Sequence, residues 1–126
     1  MRAVCRMNLE MEGFDVLEAR EGQEALSIAL RERPDLVLLD VMMPSMDGYD
    51  VARRLQENPA TSRIPVVFMT ALAAGEDRRR GFEAGGVGYV VKPFDPVYLG
   101  ETVRHTLDRL EAGDREGLRR ELLGER

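Results

Sequence analysis

Three short apolar runs in this 126-residue sequence each end abruptly in a polar residue, and this pattern constrains the fold more than any other feature. The residues that end the runs are Asp40, Thr70 and Lys92. Continuous apolar runs of this length are typical of strands buried on both faces, as in parallel sheets. In open α/β sheets the binding crevice lies outside the carboxyl ends of the strands. The sequence therefore predicts that these three side chains converge at one edge of a sheet.

Segments with helical periodicity alternate with the apolar runs. The pattern predicts strands at residues 14–19, 36–39, 65–69 and 89–91, and helices at residues 1–12, 22–33, 49–57, 75–84 and 95–110. Asp95 is a good N-cap for the last of these helices, with Pro96 at its first position. This alternation, with short connections, predicts a doubly wound parallel sheet with helices on both faces. Residues 1–112 are predicted to form one domain, and residues 113–126 a C-terminal helix or tail.

Composition and charge exclude several classes of protein. The chain is 44% hydrophobic and carries a net charge of −5, which argues against direct nucleic-acid binding because a binder needs a basic face. No apolar run approaches the ~18 residues of a membrane span, and the first residues lack the apolar core of a signal peptide. The single Cys5 cannot form an intramolecular disulfide, which favours a reducing cytoplasmic location.

Asp40, Thr70 and Lys92 together predict an acyl-phosphate site. A carboxylate can act as the nucleophile, while an ammonium and a hydroxyl can hold phosphoryl oxygens as charge develops. Alone, each residue has an ordinary structural explanation, such as a turn-forming Asp, a structural Thr or a solvated Lys. The spacing of all three favours a site, and Lys92 is the only lysine among 18 basic residues.

Three segments resemble bacterial response-regulator receiver domains of the CheY-like superfamily. They are LLDVMMPSMDG at residues 38–48, VFMTA at 67–71 and GYVVKPF at 88–94, and the resemblance covers residues 3–110. It implies a flavodoxin-like fold and a switch in two-component signal transduction. The phosphoryl donor would be a histidine kinase, a phosphotransfer protein or a small acyl phosphate. The helix after Gly75, the strand of Tyr89 and the helix after Pro96 would form the face for a downstream protein target, with a homodimer as a further option.

The resemblance also assigns individual roles. Asp40 would accept the phosphoryl group, Lys92 would contact its oxygens, and Thr70 would move toward it once attached. Tyr89 would rotate inward as Thr70 moves. The bond between Lys92 and Pro93 would be cis, a state accessible essentially only before proline.

The expected cofactor is Mg²⁺, with Asp40 and the backbone carbonyl of Met42 as two of its ligands. The family normally opens with a strand followed by two acidic residues that complete this site. Residues 1–13 contain no strand-like run and no adjacent acidic pair, so the metal site is expected to be impaired. The apolar side chains of Met42 and Leu72 would slow loss of the phosphoryl group by shielding it from water.

The absent strand would lie in the centre of the sheet, between the strands at residues 14–19 and 36–39. Losing three or four buried aliphatic side chains forfeits roughly 1.5–3 kcal/mol each, and it leaves backbone groups unpaired. Three explanations stay open. They are a start of the sequence placed too far downstream, a sheet repaired by closing up or by partner exchange, and a degenerate receiver that signals without phosphate.

Two alternative functions differ in class from the phosphorylated switch. A phosphorylation-independent docking module would use the same face, and Asp40→Asn would then leave partner binding unchanged. A phosphatase of the haloacid-dehalogenase type also places Asp, Thr or Ser, and Lys at strand ends. Such an enzyme needs a second Asp two residues after the nucleophile, where this chain has Met42, so we do not expect an enzyme.

Overall fold

Three parallel strands alternate with helices along the described part of the protein. The computed structural model describes residues 9–19, 21–42, 46–71, 75–92 and 95–123. The strands are β1 (Val37–Asp40), β2 (Val66–Thr70) and β3 (Gly88–Val91). The helices with both ends described are α1 (Gly22–Glu32), α2 (Gly48–Glu57), α3 (Gly75–Glu83), α4 (Pro96–Glu111) and α5 (Arg115–Leu122). Residues 9–11 are also helical.

The sheet has the order β1-β2-β3, and both neighbouring pairs are parallel. Asp40 is the register partner of Met69 on β2, and Thr70 is the partner of Val91 on β3. The polar residues therefore lie at the same edge, at the carboxyl ends of the strands. The predicted α/β fold with a parallel sheet is confirmed.

Every residue of β2 is buried because the strand lies between two cores. Val66 and Phe68 face a cluster formed with α1 and α2. Val67 and Met69 face the opposite cluster, which is formed with α4, α5 and Leu9. The side chains of a strand alternate between its faces, so one continuous apolar run supplies both cores. Helices therefore cover both faces, as the sequence predicts.

Helix boundaries follow local signals in the sequence. The side chain of Asp95 accepts a hydrogen bond from the amide of Val97, at 2.8 Å, which caps α4. Asp114 caps α5 in the same way by accepting from the amide of Gly117, at 3.2 Å. Helix α3 is followed by Gly85 at φ +92°, a left-handed conformation that favours glycine.

The predicted strand at residues 14–19 is wrong, because this segment belongs to no strand of the sheet. A groove of about 2260 Å³ is lined both by this segment and by β1, and Val16, Leu36 and Leu38 contribute apolar walls. A strand is stable only when its backbone pairs with a neighbour. The neighbour that the family resemblance places here has no counterpart among the residues described. Without that neighbour, the segment stays unpaired.

Several predictions lie outside the described residues. They are the cis bond at Pro93, the shielding role of Leu72 and most of the helix at residues 1–12. In the part of the chain that the structure describes, no helix is both long enough and apolar enough to cross a membrane.

Candidate functional site

Both carboxylate oxygens of Asp40 accept hydrogen bonds at the end of β1. The backbone amide of Met42 donates to Oδ1 at 2.9 Å. The ammonium of Lys92 donates to Oδ2 and forms a close ion pair with it. The Asp40 and Lys92 side chains are 33% and 38% exposed, so solvent reaches the pair.

The sheet brings Asp40 and Lys92 together across β2, although they lie 52 residues apart in the sequence. The hydrogen-bond ladder continues past the ends of the strands. Val41 donates to the carbonyl of Met69 at 3.0 Å, and Lys92 donates its backbone amide to the carbonyl of Thr70 at 2.7 Å. These hydrogen bonds hold the carboxyl ends of β1 and β3 against β2. The side chains of Asp40 and Lys92 therefore meet at the carboxyl end of β2.

Thr70 lies at this same edge, as the sequence predicts, but it is far more buried than the ion pair. Its exposed fraction is 1%, whereas about a third of Asp40 is exposed. It follows Met69, the register partner of Asp40, by one residue. The strand ends thus bring all three predicted residues to one edge, and a direct ionic contact joins two of them, Asp40 and Lys92.

Helix α2 begins directly against the backbone of Asp40, and only glycine fits at this point. The amide of Gly48 donates to the carbonyl of Val41 at 3.0 Å. A Cβ atom on Gly48 would lie 2.8 Å from the carbonyl oxygen of Asp40 and 3.0 Å from the Cα of Val41. The side chain of Asp47 caps the helix by accepting from the amide of Asp50 at 2.9 Å. The turn at Asp47 and Gly48 thereby holds the backbone that follows Asp40 against the start of α2.

An aromatic cluster that the sequence reasoning missed lies on the α2 and α3 side of the sheet. The hydroxyl of Tyr89 donates to the carbonyl of Asp77 at 2.6 Å and contacts the hydroxyl of Tyr49. The ring of Phe68 packs between them, with centroids 5.0 Å from Tyr49 and 5.6 Å from Tyr89. Burial, and then the hydrogen bond with Tyr49, raise the pKa of Tyr89 well above its ordinary value. The position of Tyr49 three residues before the inward Ala52 was the available signal.

Tyr89 already points toward α3 in this structure. A Cβ atom on Gly81 would lie 2.7 Å from Cε2 of Tyr89 and 3.1 Å from its hydroxyl oxygen. The absence of a side chain at Gly81 therefore makes room for this orientation. The resemblance predicts that Tyr89 rotates inward as Thr70 moves, and in this structure its ring is partly buried against α3.

Asp40 is the one side chain that the sequence analysis expects to ligate Mg²⁺, and it is among the described residues. None of their His, Cys, Asp and Glu side chains form a group of three that could hold a metal ion. Asp40 supplies a carboxylate, but the ammonium of Lys92 lies against one of its oxygens. Mg²⁺ prefers octahedral oxygen ligands, and a neighbouring ammonium is not one. The side chain of Met42, which the resemblance expects to shield the phosphoryl group from water, is 76% exposed.

Comparison with known proteins identifies the family. Residues 1–104 match the response regulator receiver domain. The chain is 44% identical over 118 residues to the response regulator PleD of Caulobacter vibrioides, which covers 94% of this chain and 26% of PleD. The chain therefore belongs to the response-regulator receiver family and acts in two-component signalling. It spans about a quarter of the length of PleD.

Two solved structures share the fold. The chemotaxis response regulator CheY4 of Vibrio cholerae superimposes with a TM-score of 0.78 at 30% identity, covering 83% of this chain and 88% of that one. The receiver domain of the sensor histidine kinase PA1611 from Pseudomonas aeruginosa gives a TM-score of 0.74 at 30% identity, with 83% and 86% coverage. That second structure has a magnesium ion coordinated in its active-site cleft.

Proposed function

We propose that Asp40 is the phosphoacceptor of this receiver and that Lys92 stabilises the charge that develops during transfer. The observation that carries this proposal is the ion pair between Lys92 and Oδ2 of Asp40 at the carboxyl ends of the strands. Oδ1 is oriented by the amide of Met42 at 2.9 Å. A partly exposed carboxylate held on both oxygens is presented in a fixed direction to an incoming phosphorus atom.

The transfer is a displacement at phosphorus. A carboxylate oxygen of Asp40 attacks the phosphoryl group of a phosphohistidine, and a P–O bond forms as the P–N bond breaks. The imidazole leaves with the electron pair of that bond and takes up a proton from solvent. The ammonium of Lys92 neutralises part of the charge on the phosphoryl oxygens. The product is an acyl phosphate on Asp40.

The switch that follows would use Thr70 and Tyr89. The hydroxyl of Thr70 would move toward the phosphoryl group, and Tyr89 would change its position against α3. The near-complete burial of Thr70 supports a coupling of this kind, because a buried residue cannot shift without displacing its neighbours. We also propose that the peptide bond before Pro93 is cis. Residues 1–112 would form the receiver domain, and residues 113–126 a C-terminal helix or tail.

We further propose that Mg²⁺ binding is impaired in this chain, because Asp40 supplies the carboxylate without the acidic pair expected from the family. The partners of this receiver would be a histidine kinase or phosphotransfer protein and a downstream protein target. The net charge of −5 supports a receiver that makes no direct contact with nucleic acid. A cytoplasmic location and the lack of enzymatic turnover remain predictions from the sequence.

Intact-mass spectrometry after incubation with acetyl phosphate, with and without Mg²⁺, tests the proposal. We expect one phosphoryl adduct on the wild-type chain and none on Asp40→Asn. Asp35→Asn is the matched control, because it makes the same change at the other end of β1, on an exposed residue. It should retain the adduct. A folded wild-type chain without any adduct would contradict the proposal and favour a phosphorylation-independent receiver.

A further inference from the structure

Tyr49 joins the start of α2 to both α3 and β3. Its side chain lies in the first turn of α2 and is 1% exposed. The hydroxyl of Tyr49 is hydrogen-bonded to the hydroxyl of Tyr89 on β3. Both hydroxyls also contact the backbone carbonyl of Asp77 in α3, at 3.2 Å from Tyr49 and 2.6 Å from Tyr89. Two helices and one strand therefore meet at a single hydrogen-bonded group, which we call the tyrosine contact.

The hydroxyl end of Tyr89 is held more specifically than its ring. The ring packs against Phe68, with centroids 5.6 Å apart, and lies over Gly81, which has no side chain. The guanidinium of Arg78 is 5.8 Å from the ring centre. Apolar packing is non-directional, whereas a hydrogen bond weakens steeply as its angle departs from linear. The tyrosine contact therefore determines where the end of Tyr89 lies against α3.

Tyr49 is also tied to the backbone at Asp40 through its neighbour Gly48. The amide of Gly48 donates to the carbonyl of Val41 at 3.0 Å. A Cβ atom on Gly48 would lie 2.8 Å from the carbonyl oxygen of Asp40, so the two backbones are in direct contact. Close-packed interiors transmit such displacements because they leave little free space. A shift of the backbone at Asp40 is therefore passed to the start of α2 and to Tyr49.

The ring of Tyr49 is confined by neighbours from other elements. Its centroid lies 5.0 Å from that of Phe68 on β2. The guanidinium of Arg80 on α3 lies 4.6 Å from the ring centre, and it also lies 3.8 Å from the carboxylate of Asp47, which caps α2. A ring that is buried and held in this way cannot turn freely. The position of the Tyr49 hydroxyl therefore follows the position of α2.

We propose that Tyr49 is a positioning residue of this receiver, whose hydroxyl holds Tyr89 against α3 and ties its position to the backbone at Asp40. This role rests on the function proposed above, in which Thr70 and Tyr89 move once Asp40 carries the phosphoryl group. It adds a connection through α2 that does not pass through Thr70. Because the inward position of Tyr89 accompanies the movement of Thr70 toward the phosphoryl group, holding the ring against α3 favours phosphorylation.

Nuclear magnetic resonance of isotope-labelled tyrosine rings tests the tyrosine contact without phosphorylation. The chain has three tyrosines, so single replacements by phenylalanine assign every ring signal. Tyr49→Phe removes the hydroxyl and keeps the packed ring. We expect the Tyr89 signal to move toward that of Tyr98, whose side chain is 52% exposed. Tyr98→Phe is the matched control and should leave the Tyr89 signal in place. A Tyr89 signal that Tyr49→Phe does not move would overturn the proposal.

A second variant keeps this test decisive if Tyr49→Phe does not fold. The side chain of Arg80 is 50% exposed, so Arg80→Gln is expected to fold. It removes the cation that lies over the Tyr49 ring and the ion pair with Asp47. The Tyr89 signal should then move in the same direction as in Tyr49→Phe, but by less. If the signal stays at its wild-type position in Arg80→Gln, Arg80 does not help to hold Tyr49, and the proposal is contradicted.

The rate at which acetyl phosphate forms the adduct tests the positioning role. Intact mass is followed in wild type, Tyr49→Phe, Tyr89→Phe and the double variant. Because one hydrogen bond shifts a two-state balance by about two- to tenfold, Tyr49→Phe should slow adduct formation by a factor in that range. In the Tyr89→Phe background the same change should have no effect, since the hydroxyl that Tyr49 holds is already absent.

Equal slowing by Tyr49→Phe in both backgrounds would mean that Tyr49 acts only through the packing of α2, and it would overturn the proposal. An unchanged rate in the wild-type background would do the same. Urea denaturation of the four chains shows whether a slower rate reflects a loss of folded protein. If wild type forms no adduct, the phosphoacceptor proposal fails, and the ring signals alone decide whether Tyr49 holds Tyr89.

Discussion

The two outer edges of the sheet differ sharply in how they are covered. At the β3 edge, α5 buries two leucines and makes arginine–carbonyl hydrogen bonds to α3. At the β1 edge, the described residues leave a groove of about 2260 Å³, and the segment at residues 14–19 lines it without pairing. Three of the four residues of β1 are only partly buried, whereas all of β2 is buried. The stability of this fold is therefore concentrated at β2 and the β3 side.

The candidate site spans both edges. Asp40 ends β1, on the open side, and Lys92 follows β3, on the covered side. Their ion pair crosses β2, whose burial makes it the rigid element between them. A receiver of this kind can hold Lys92 firmly while Asp40 depends on how well β1 is supported. The geometry of the site is thus more sensitive to changes at the β1 edge.

The largest effect should come from filling the groove beside β1. An N-terminal extension that supplies a strand of valine and isoleucine should raise the free energy of unfolding by about 5 kcal/mol, because each newly buried aliphatic side chain contributes roughly 1.5–3 kcal/mol. Urea denaturation measures the change. The control is an extension of the same length made of serine and glycine, which cannot fill an apolar groove. If the two extensions gave the same stability, the β1 edge would not be the weak side of the sheet.

Truncation at the covered edge should have the next largest effect. Leu122→Ala should lower the free energy of unfolding by about 2–4 kcal/mol, because it removes a buried side chain and leaves a cavity. Leu30→Ala in α1 is the matched control, since Leu30 is 48% exposed and the same atoms are removed from a largely solvated position. Equal losses in the two variants, again from urea denaturation, would show that α5 adds little to the β3 edge.

The smallest predicted effect is the pH dependence of the stability that the Asp114 side chain adds at the start of α5. The hydrogen bond from Arg109 is the main cause that lowers the pKa of Asp114. A carboxyl group whose pKa is lowered by folding stabilises the folded state above its unfolded value of about 3.9. That contribution is lost as the pH falls through the lower folded value. The Asp114 contribution should therefore be complete at neutral pH and fade below about pH 4.

Asp114→Asn measures this contribution, because asparagine keeps the helix cap but cannot titrate. The difference in urea midpoint between wild type and variant should be largest near neutral pH and should shrink toward acid. Other carboxyl groups titrate in both chains and cancel in the difference. A difference that grows on acidification would show that the assumed direction of the pKa shift is wrong.

The sequence by itself determined the strands that carry the site. The three strands correspond to continuous apolar runs at residues 36–39, 65–69 and 89–91. A strand that is buried on both faces must consist largely of apolar residues. The polar residues that end these runs follow directly from the sequence, and so does the cap at Asp95, because a cap depends on a few neighbouring residues. Asp40, Thr70 and Lys92 could be assigned to one edge because parallel strands end together.

Tertiary structure alone decided the remaining features. Residues 14–19 have the composition of a strand, yet they form none, because pairing depends on a neighbour and not on the segment itself. Tyr49 and Tyr89 meet only because α2 covers the face of the sheet toward which Tyr89 of β3 points. The polar segment after Gly113 gave no signal that its leucines would cover β3, since the groove that receives them is made by α3 and α4. Local rules act over a few residues, whereas these contacts join residues 37 to 44 positions apart.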